Sequence, residues 1–337
     1  MTAPTSHLPA AVRALAEGDL DVFAERFSNA GFNVRQPAHG IFSVKGGGAQ
    51  ARASVVISVG VHGDETAPID MLAHTLEALS LEPHALAVDL LICVGNIDAI
   101  AAGKRFIDAD LNRMFRKERG ALAGAREALR ADLMIAATAE FFDYAGPDRW
   151  HLDLHTAIRP SLYPTFAVVP TLISEHGMWA LIGWLGQAEI GAIIMNPKSA
   201  GTFSYHSAEL HGAAGSTLEL GRVGELGKND LTQFASVALA LDDFLRGRAL
   251  RPSKAKPVVF RVAQEIIKHS DAFTMAVSAA TPNFTPLRQG EVIASDGEIS
   301  YTVKHAQELV VFPNPDVRVG LRAGLMVVPH SNDERPV

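Results

Sequence analysis

Four His-x-x-Glu pairs punctuate this chain: His62/Glu65, His74/Glu77, His206/Glu209 and His305/Glu308. An imidazole and a carboxylate at that spacing can hold a divalent cation, but a spacing that recurs must be judged by its surroundings. His74/Glu77 falls mid-helix in "APIDMLAHTLEAL" and is expected on a solvated face. His305/Glu308 is expected to be a surface pair near a turn, and His206/Glu209 sits in a loop-like stretch that decides nothing. His62/Glu65 differs. It lies in the glycine-flanked "GVHGDET", directly after the apolar run Val55–Val59. A continuous apolar run of that length reads as a strand buried on both faces, and ligands in open α/β sheets bind at the carboxyl ends of such strands. The competing account makes Asp64 the cap of the following helix, with Glu65 at its positive end. That account leaves His62 without a purpose.

A third ligand is the test. In "RWHLDLHTAIRPS", His151, Asp153 and His155 share one face of a strand, while Leu152 and Leu154 point the other way. A solvent-facing stripe on an edge strand would read the same. The functional alternative has His155 completing a His₂Glu site with His62 and Glu65, which is the ligand set of a catalytic zinc with one open position. Asp153 would then orient a ligand imidazole from behind, and His151 would be structural. Glu219 in "GSTLELG" is a carboxylate in an otherwise apolar strand. Burial there is costly unless the group is paired or used, and desolvation raises its pKa toward the range of a general base. The segment "GKRFIDADLNRMFR" supplies Arg105, Asn112 and Arg113, a planar fork and a neutral donor suited to a carboxylate. The same segment also reads as a surface loop salt-bridged through Asp108 and Asp110, with Arg116, Lys117 and Arg119 on its solvated side.

Alternating elements must position these groups. One or two helices are expected over residues 8–28. "FSVKGGGAQARASVVISVG" reads as strand, hairpin turn at Gly46–Gly48, and strand; without a following Lys-Ser/Thr the glycines are no phosphate loop. Apolar spacing in 67–79 predicts a helix burying Ile69, Leu72, Ala73, Leu76 and Leu79. Further strands are predicted at "ALAVDLLICVGN", "RWHLDLHT", "TFAVVP", "GAIIMN" and "GSTLELG", and helices within 120–145, 173–188 and 229–245. The fold class is therefore α/β, a mixed, largely parallel sheet flanked by helices. After the basic, proline-bearing "RGRALRPSKAKP" only short strands and turns follow. The expected division is residues 1–250 as the catalytic α/β domain and 251–337 as a smaller all-β domain.

Composition narrows the function classes. The 337 residues are 48% hydrophobic and 20% charged, ordinary for a soluble globular enzyme. A net charge of −7 argues against nucleic acid as a partner. Against that background an anionic ligand needs specific arginines. The single cysteine, Cys93, sits in a strand pattern and is expected to be a core residue, so any metal must be held by His and carboxylate. The amino terminus has no signal-peptide pattern and no apolar run is long enough to span a bilayer, so a cytoplasmic location and no membrane partner are expected.

"GVHGDETAP", "GKRFIDADLNRMF", "HLDLHTAIRPS" and "TLELG" together resemble the aspartoacylase/succinylglutamate desuccinylase family, zinc hydrolases with a carboxypeptidase-like domain. "GKNDL" at 227–231 and "VKHAQELVVFPNPDVRVGLRAGLM" extend the resemblance to nearly all of the chain beyond about residue 30. It implies one Zn²⁺ per chain on His62, Glu65 and His155, with Glu219 as the catalytic glutamate. It further implies that Arg105 polarises the scissile carbonyl and that Asn112 and Arg113 hold a substrate carboxylate. The reaction implied is hydrolysis of N-succinyl-L-glutamate to succinate and glutamate, the last step of arginine catabolism by the succinyltransferase route. Where relatives commonly carry Asn, this chain has Asp64. Two alternatives stand beside that reading. One is an aspartoacylase-like or other N-acyl amino acid amidohydrolase. The other is an inactive binding or regulatory module, whose signature would be loss of a ligand or of Glu219, yet all four residues are present. The stretch 204–211 does not align, and Glu209 would repel a substrate carboxylate if it faced the site.

Overall fold

The structure, a computed structural model, describes residues 7–46, 52–249, 251 and 256–330. The chain opens with α1 (Ala10–Glu17) and α2 (Asp21–Asn29), then β1 (Asn33–Ala38), β2 (Ile41–Lys45), β3 (Ser54–Val59), α3 (Ala67–Leu81), β4 (Asp89–Val94) and α4 (Ile97–Ala102). It continues through α5 (Arg126–Asp143), β5 (Arg149–Ala157), β6 (Thr165–Pro170), α6 (Glu175–Gln187), β7 (Ala192–Asn196), α7 (Phe203–His211), β8 (Ala214–Arg222) and α8 (Ala235–Leu245). Among the described residues only strands and turns follow: β9 (Val258–Ile267), β10 (Thr274–Met275), β11 (Thr285–Arg288), β12 (Val292–Asp296), β13 (Ile299–Thr302), β14 (Gln307–Val311) and β15 (Arg322–Pro329). Among the described residues no helix is long and apolar enough to cross a membrane.

The alternating pattern produces the expected mixed sheet with helices on both faces. Strands β4, β3, β5 and β8 run parallel side by side, and β6 turns antiparallel against β8. Every residue of β3 is buried, as a strand covered on both faces requires. Helix α3 puts Ile69, Leu72, Ala73, Leu76 and Leu79 into the core on one side of the sheet. Helix α5 packs Ala128, Ala131, Met134 and Phe141 on the other. Cys93 is fully buried, and burial pushes its thiol up to about 12, which removes it from any chemistry near neutral pH.

Three expectations need correction. The strands on either side of the glycine run do not form a hairpin: β2 pairs antiparallel with β1 and β4, and β4 separates it from β3. Of that run, Gly47 and Gly48 lie outside the described residues. His305/Glu308 is a surface pair on its His305 side alone. Glu308 is fully buried and accepts from the Lys304 and His305 amides, the His305 ring and Gln264, so it staples the turn before β14. His206/Glu209 is not in a loop but in α7, where His206 is buried and Glu209 is exposed, away from the cavity described below. His74, by contrast, is exposed on α3 as the helical spacing predicts.

The C-terminal strands build one apolar cluster of their own, around Ile293 and Met326, and share a second, around Phe284 and Val327, with Ala157, Phe166, Ala192 and Ile194 of the α/β half. They are nevertheless continuous with the α/β sheet. β9 pairs in parallel with β7, and β15, β14 and β11 follow it, giving a sheet of 12 strands; β10, β12 and β13 form a separate sheet of 3. This pairing fixes the loop between β14 and β15 against the catalytic half.

Candidate active site

The carboxyl edge of the parallel strands gathers the residues singled out above. After β3 the chain turns at Gly60, whose φ of +65° is a conformation glycine reaches without penalty. Gly63 then passes so close to α4 that a Cβ would stand 2.2 Å from the Ala99 carbonyl carbon. The Gly63 amide donates to the Arg105 carbonyl at 3.1 Å, which ties the His62 loop to the arginine segment. His155 leaves β5 directly opposite Glu219 on β8, so their side chains emerge on the same face of neighbouring strands.

His62, Glu65 and His155 converge as a buried trio whose ligand atoms all lie within 4.8 Å of one another. His62 Nδ1 is 2.8 Å from Glu65 Oε1, and His155 Nδ1 is 2.8 Å from Glu65 Oε2. Glu65 Oε2 also accepts from the Thr156 amide at 3.0 Å, and Arg105 Nη1 donates to Oε1 at 2.8 Å. Behind the trio, His155 Nε2 stands 3.0 Å from Asp153 Oδ2, while Ser58 donates to Asp153 Oδ1 at 2.5 Å. An imidazole with one nitrogen toward the shared centre and the other on a carboxylate is the arrangement that fixes a metal-ligating histidine. Electrostatics agree with the donor set. Burial opposes charge on His155, yet Asp153 and Glu65 overcome it and raise its pKa well above the ordinary range. Burial likewise opposes ionisation of Glu65, and the two histidines overrule it, holding the carboxyl well below its usual range. The trio is therefore a place where positive charge is strongly favoured, and the two nitrogens plus one carboxylate suit a divalent cation such as zinc.

His151 does not join the trio. It is fully buried, bonded to Ser58 at 2.9 Å and Ser207 at 2.7 Å, and burial pushes its pKa down to about 4. Strand β5 lies between β3 and β8, so the reading of an exposed edge stripe is excluded.

Glu219 is 8% exposed, and its Oε2 has no hydrogen-bond partner among the described residues. Burial, reinforced by the nearby Glu65 charge, pushes its pKa up to about 7. An unpaired carboxylate poised there, beside a cation site, is equipped to take and return a proton. Arg105 reaches the trio through Glu65 and stands 3.0 Å from His62 Nε2. Asn112 is buried; its Oδ1 accepts from the Phe203 amide at 3.0 Å. Arg113 Nη1 donates to the Asn112 carbonyl at 2.7 Å and lines the same cavity. That cavity, about 380 Å³, opens over His62, His155 and Glu219.

Three features escaped the sequence. Asp110, which reads as a surface salt-bridge partner, is turned inward and lies 2.9 Å from His62 Nε2; burial opposes its charge, but His62 and Arg113 hold its carboxyl well below the usual range. Glu127 on α5 accepts from the Ile107, Asp108 and Ala109 amides and from Asn96, and so shapes the loop carrying Asp110, Asn112 and Arg113. Asp64 does not cap α3. Thr66 holds the cap position, with its hydroxyl diverted to the Gly224 carbonyl, while Asp64 Oδ1 is buried without a partner among the described residues. "GKND" earns its place structurally: the Gly227 amide and Asn229 side chain donate to Asp70 on α3, which fixes the loop after β8.

The sequence pattern of the Succinylglutamate desuccinylase/Aspartoacylase catalytic domain matches residues 51–245, and that of the AstE/AspA barrel-sandwich hybrid domain matches residues 255–330. The chain belongs to the succinylglutamate desuccinylase/aspartoacylase family. Within it, the chain is 44% identical over 287 residues to a succinylglutamate desuccinylase of Burkholderia orbicola, covering 85% of this chain and 84% of that one. It is also similar to the solved succinylglutamate desuccinylases of Vibrio parahaemolyticus (TM-score 0.81, 29% identity, 91% and 94% coverage) and Vibrio cholerae (TM-score 0.80, 32% identity, 88% of each chain). Family membership covers both the α/β half and the C-terminal strands that close over the cavity.

Proposed function

We propose that this protein is a zinc-dependent amidohydrolase that cleaves N-succinyl-L-glutamate to succinate and L-glutamate, the last step of arginine catabolism by the succinyltransferase route. The observation that carries the reading is the unpaired, buried Glu219 lying opposite His155 in a cavity that also holds Arg105, Asn112 and Arg113. The relatives' names supply the acyl group and the amino acid. His62, Glu65 and His155 are the proposed zinc ligands. When bound, zinc supplies a Lewis acid and lowers the pKa of water.

The chain's own residues do the rest. Glu219 takes a proton from the attacking water as its oxygen bonds to the amide carbon. Arg105 donates to the carbonyl oxygen as negative charge develops there, where a fixed cation counts most. When the C–N bond breaks, Glu219 returns the proton to the departing glutamate nitrogen. Asn112 and Arg113 set the register by holding a substrate carboxylate. Asp153 and Asp110 position His155 and His62. The test is succinate release from N-succinyl-L-glutamate by protein of measured zinc content. Stoichiometric zinc with turnover on N-acetyl-L-aspartate but not on N-succinyl-L-glutamate would move the activity to another acyl group. Turnover of neither would favour an inactive module.

A further inference from the structure

The C-terminal strands contribute more than a cover. The cavity is lined by Arg105, Arg113, Arg159, Arg318 and Arg322; Arg318 comes from the segment joining β14 to β15 and Arg322 opens β15. Asp110, Glu219 and Asp316 are the acids that face it. In a chain of net charge −7, that is a local excess of cation where the substrate must sit.

These arginines are not equally engaged. Arg105 donates to Glu65 and is assigned above to the scissile carbonyl, and Arg159 donates to the Ala279 carbonyl. Arg322, the first residue of β15, is only 15% exposed, and its Nη1 is buried without a hydrogen-bond partner among the described residues. The nearest carboxylate, Glu265, stands 3.5 Å away and is shared with Lys198 at 3.3 Å. After burial, the strongest influence on the Arg322 charge is repulsion from Arg113, and together they push its pKa down to about 10. Arg113 and Arg322 line one cavity, and a guanidinium there with a buried donor left over is an arrangement that an anion relieves. A planar fork selects a carboxylate. With Arg113 on one carboxylate, a neighbouring cation fits a ligand whose second carboxylate lies a few bonds from the first. The amino-acid half of an N-acyl dicarboxylic amino acid has that shape.

We propose that Arg322 is a specificity residue that binds the side-chain carboxylate of the glutamate half of the substrate, beside the α-carboxylate held by Asn112 and Arg113. This rests on the amidohydrolase reading above. It makes the β14–β15 segment part of the substrate site and assigns to the C-terminal strands the recognition of an acidic amino acid.

The experiment compares kcat/KM of the full-length zinc-loaded protein on three substrates: N-succinyl-L-glutamate, N-succinyl-L-glutamine, which is the same shape with a neutral side chain, and N-butyryl-L-glutamate, which lacks the acyl carboxylate. Wild type, Arg322→Met and Arg322→Lys are measured, with zinc content and melting temperature verifying each fold. Arg322→Met should lose on the order of 100-fold on both glutamate substrates and less than about 3-fold on the glutamine substrate. Arg322→Lys should recover part of the loss. An equal loss on the glutamate and glutamine substrates would mean a merely structural role and overturn the proposal. So would a loss on N-succinyl-L-glutamate with none on N-butyryl-L-glutamate, which would put Arg322 at the acyl end. If wild type hydrolyses none of them, the amidohydrolase reading fails separately, and calorimetry with L-glutamate and L-glutamine then decides Arg322: equal affinities in wild type would overturn it.

Discussion

His151 gives the sharpest energetic prediction. It is fully buried between Ser58 and Ser207, and burial holds its pKa down at about 4 against an ordinary 6.5. Asp153 pulls the other way without prevailing. A histidine kept neutral in the fold binds its proton only after unfolding, so its contribution is complete above pH 6.5 and is lost as pH falls toward 4. Lowering the pH to about 4.5 should therefore remove about 2 to 3 kcal/mol of stability through this one residue. Other groups titrate over the same range, so the measurement must isolate His151. Urea unfolding of wild type and His151→Gln at about pH 7.5 and 4.5 does this. The variant starts less stable, since glutamine cannot repeat both serine bonds with the same geometry. Its deficit should shrink by about 2 to 3 kcal/mol on acidification, because glutamine has no proton to gain. A deficit unchanged within about 0.5 kcal/mol would refute the claim that burial suppresses protonation here.

Three further outcomes follow from the site. Asp153→Asn should weaken zinc affinity about 10- to 100-fold, read by competition with a chelating dye, because the group aligning His155 loses its charge. Glu127→Ala removes the acceptor for the Ile107, Asp108 and Ala109 amides; it should cost about 3 kcal/mol in urea unfolding and lower kcat/KM well below what zinc content explains. The acid limb of kcat/KM should have its midpoint no higher than about 7, where burial places the Glu219 carboxyl, with activity lost as pH falls because the protonated acid cannot accept a proton. A limb centred well above that value would point to another group.

What sequence could foresee divides along the range of the interactions. The apolar run of β3, the face of α3 and the alternation in "HLDLHT" are local periodicities, and each became the element it predicts. His62 and Glu65 could be picked from their rivals because a loop after a fully apolar strand lies at a sheet's carboxyl edge. The hairpin at the glycines failed because strand pairing is non-local: β4, arriving some forty residues later, takes the place between β2 and β3. Asp64 failed as a cap because α3 begins at Ala67, so its side chain is too far upstream to reach the free amides. Asp110 could not be told from Asp108 without the fold, although one faces His62 and the other is met by Arg126 at the surface. Arg322 carries no signal in its own neighbourhood. Its role appears only when β9 joins β7 and brings the β14–β15 segment over the cavity.

The central claim is that His62, Glu65 and His155 hold a zinc ion at which Glu219 does the proton transfer. Glu219→Gln tests both halves at once. The variant keeps the shape of the site and leaves the three ligands untouched, so it should bind zinc at about one ion per chain and lose on the order of 1,000-fold or more in kcat on N-succinyl-L-glutamate. Near-normal turnover by the zinc-loaded variant, or absence of zinc from both proteins after reconstitution, would contradict the account.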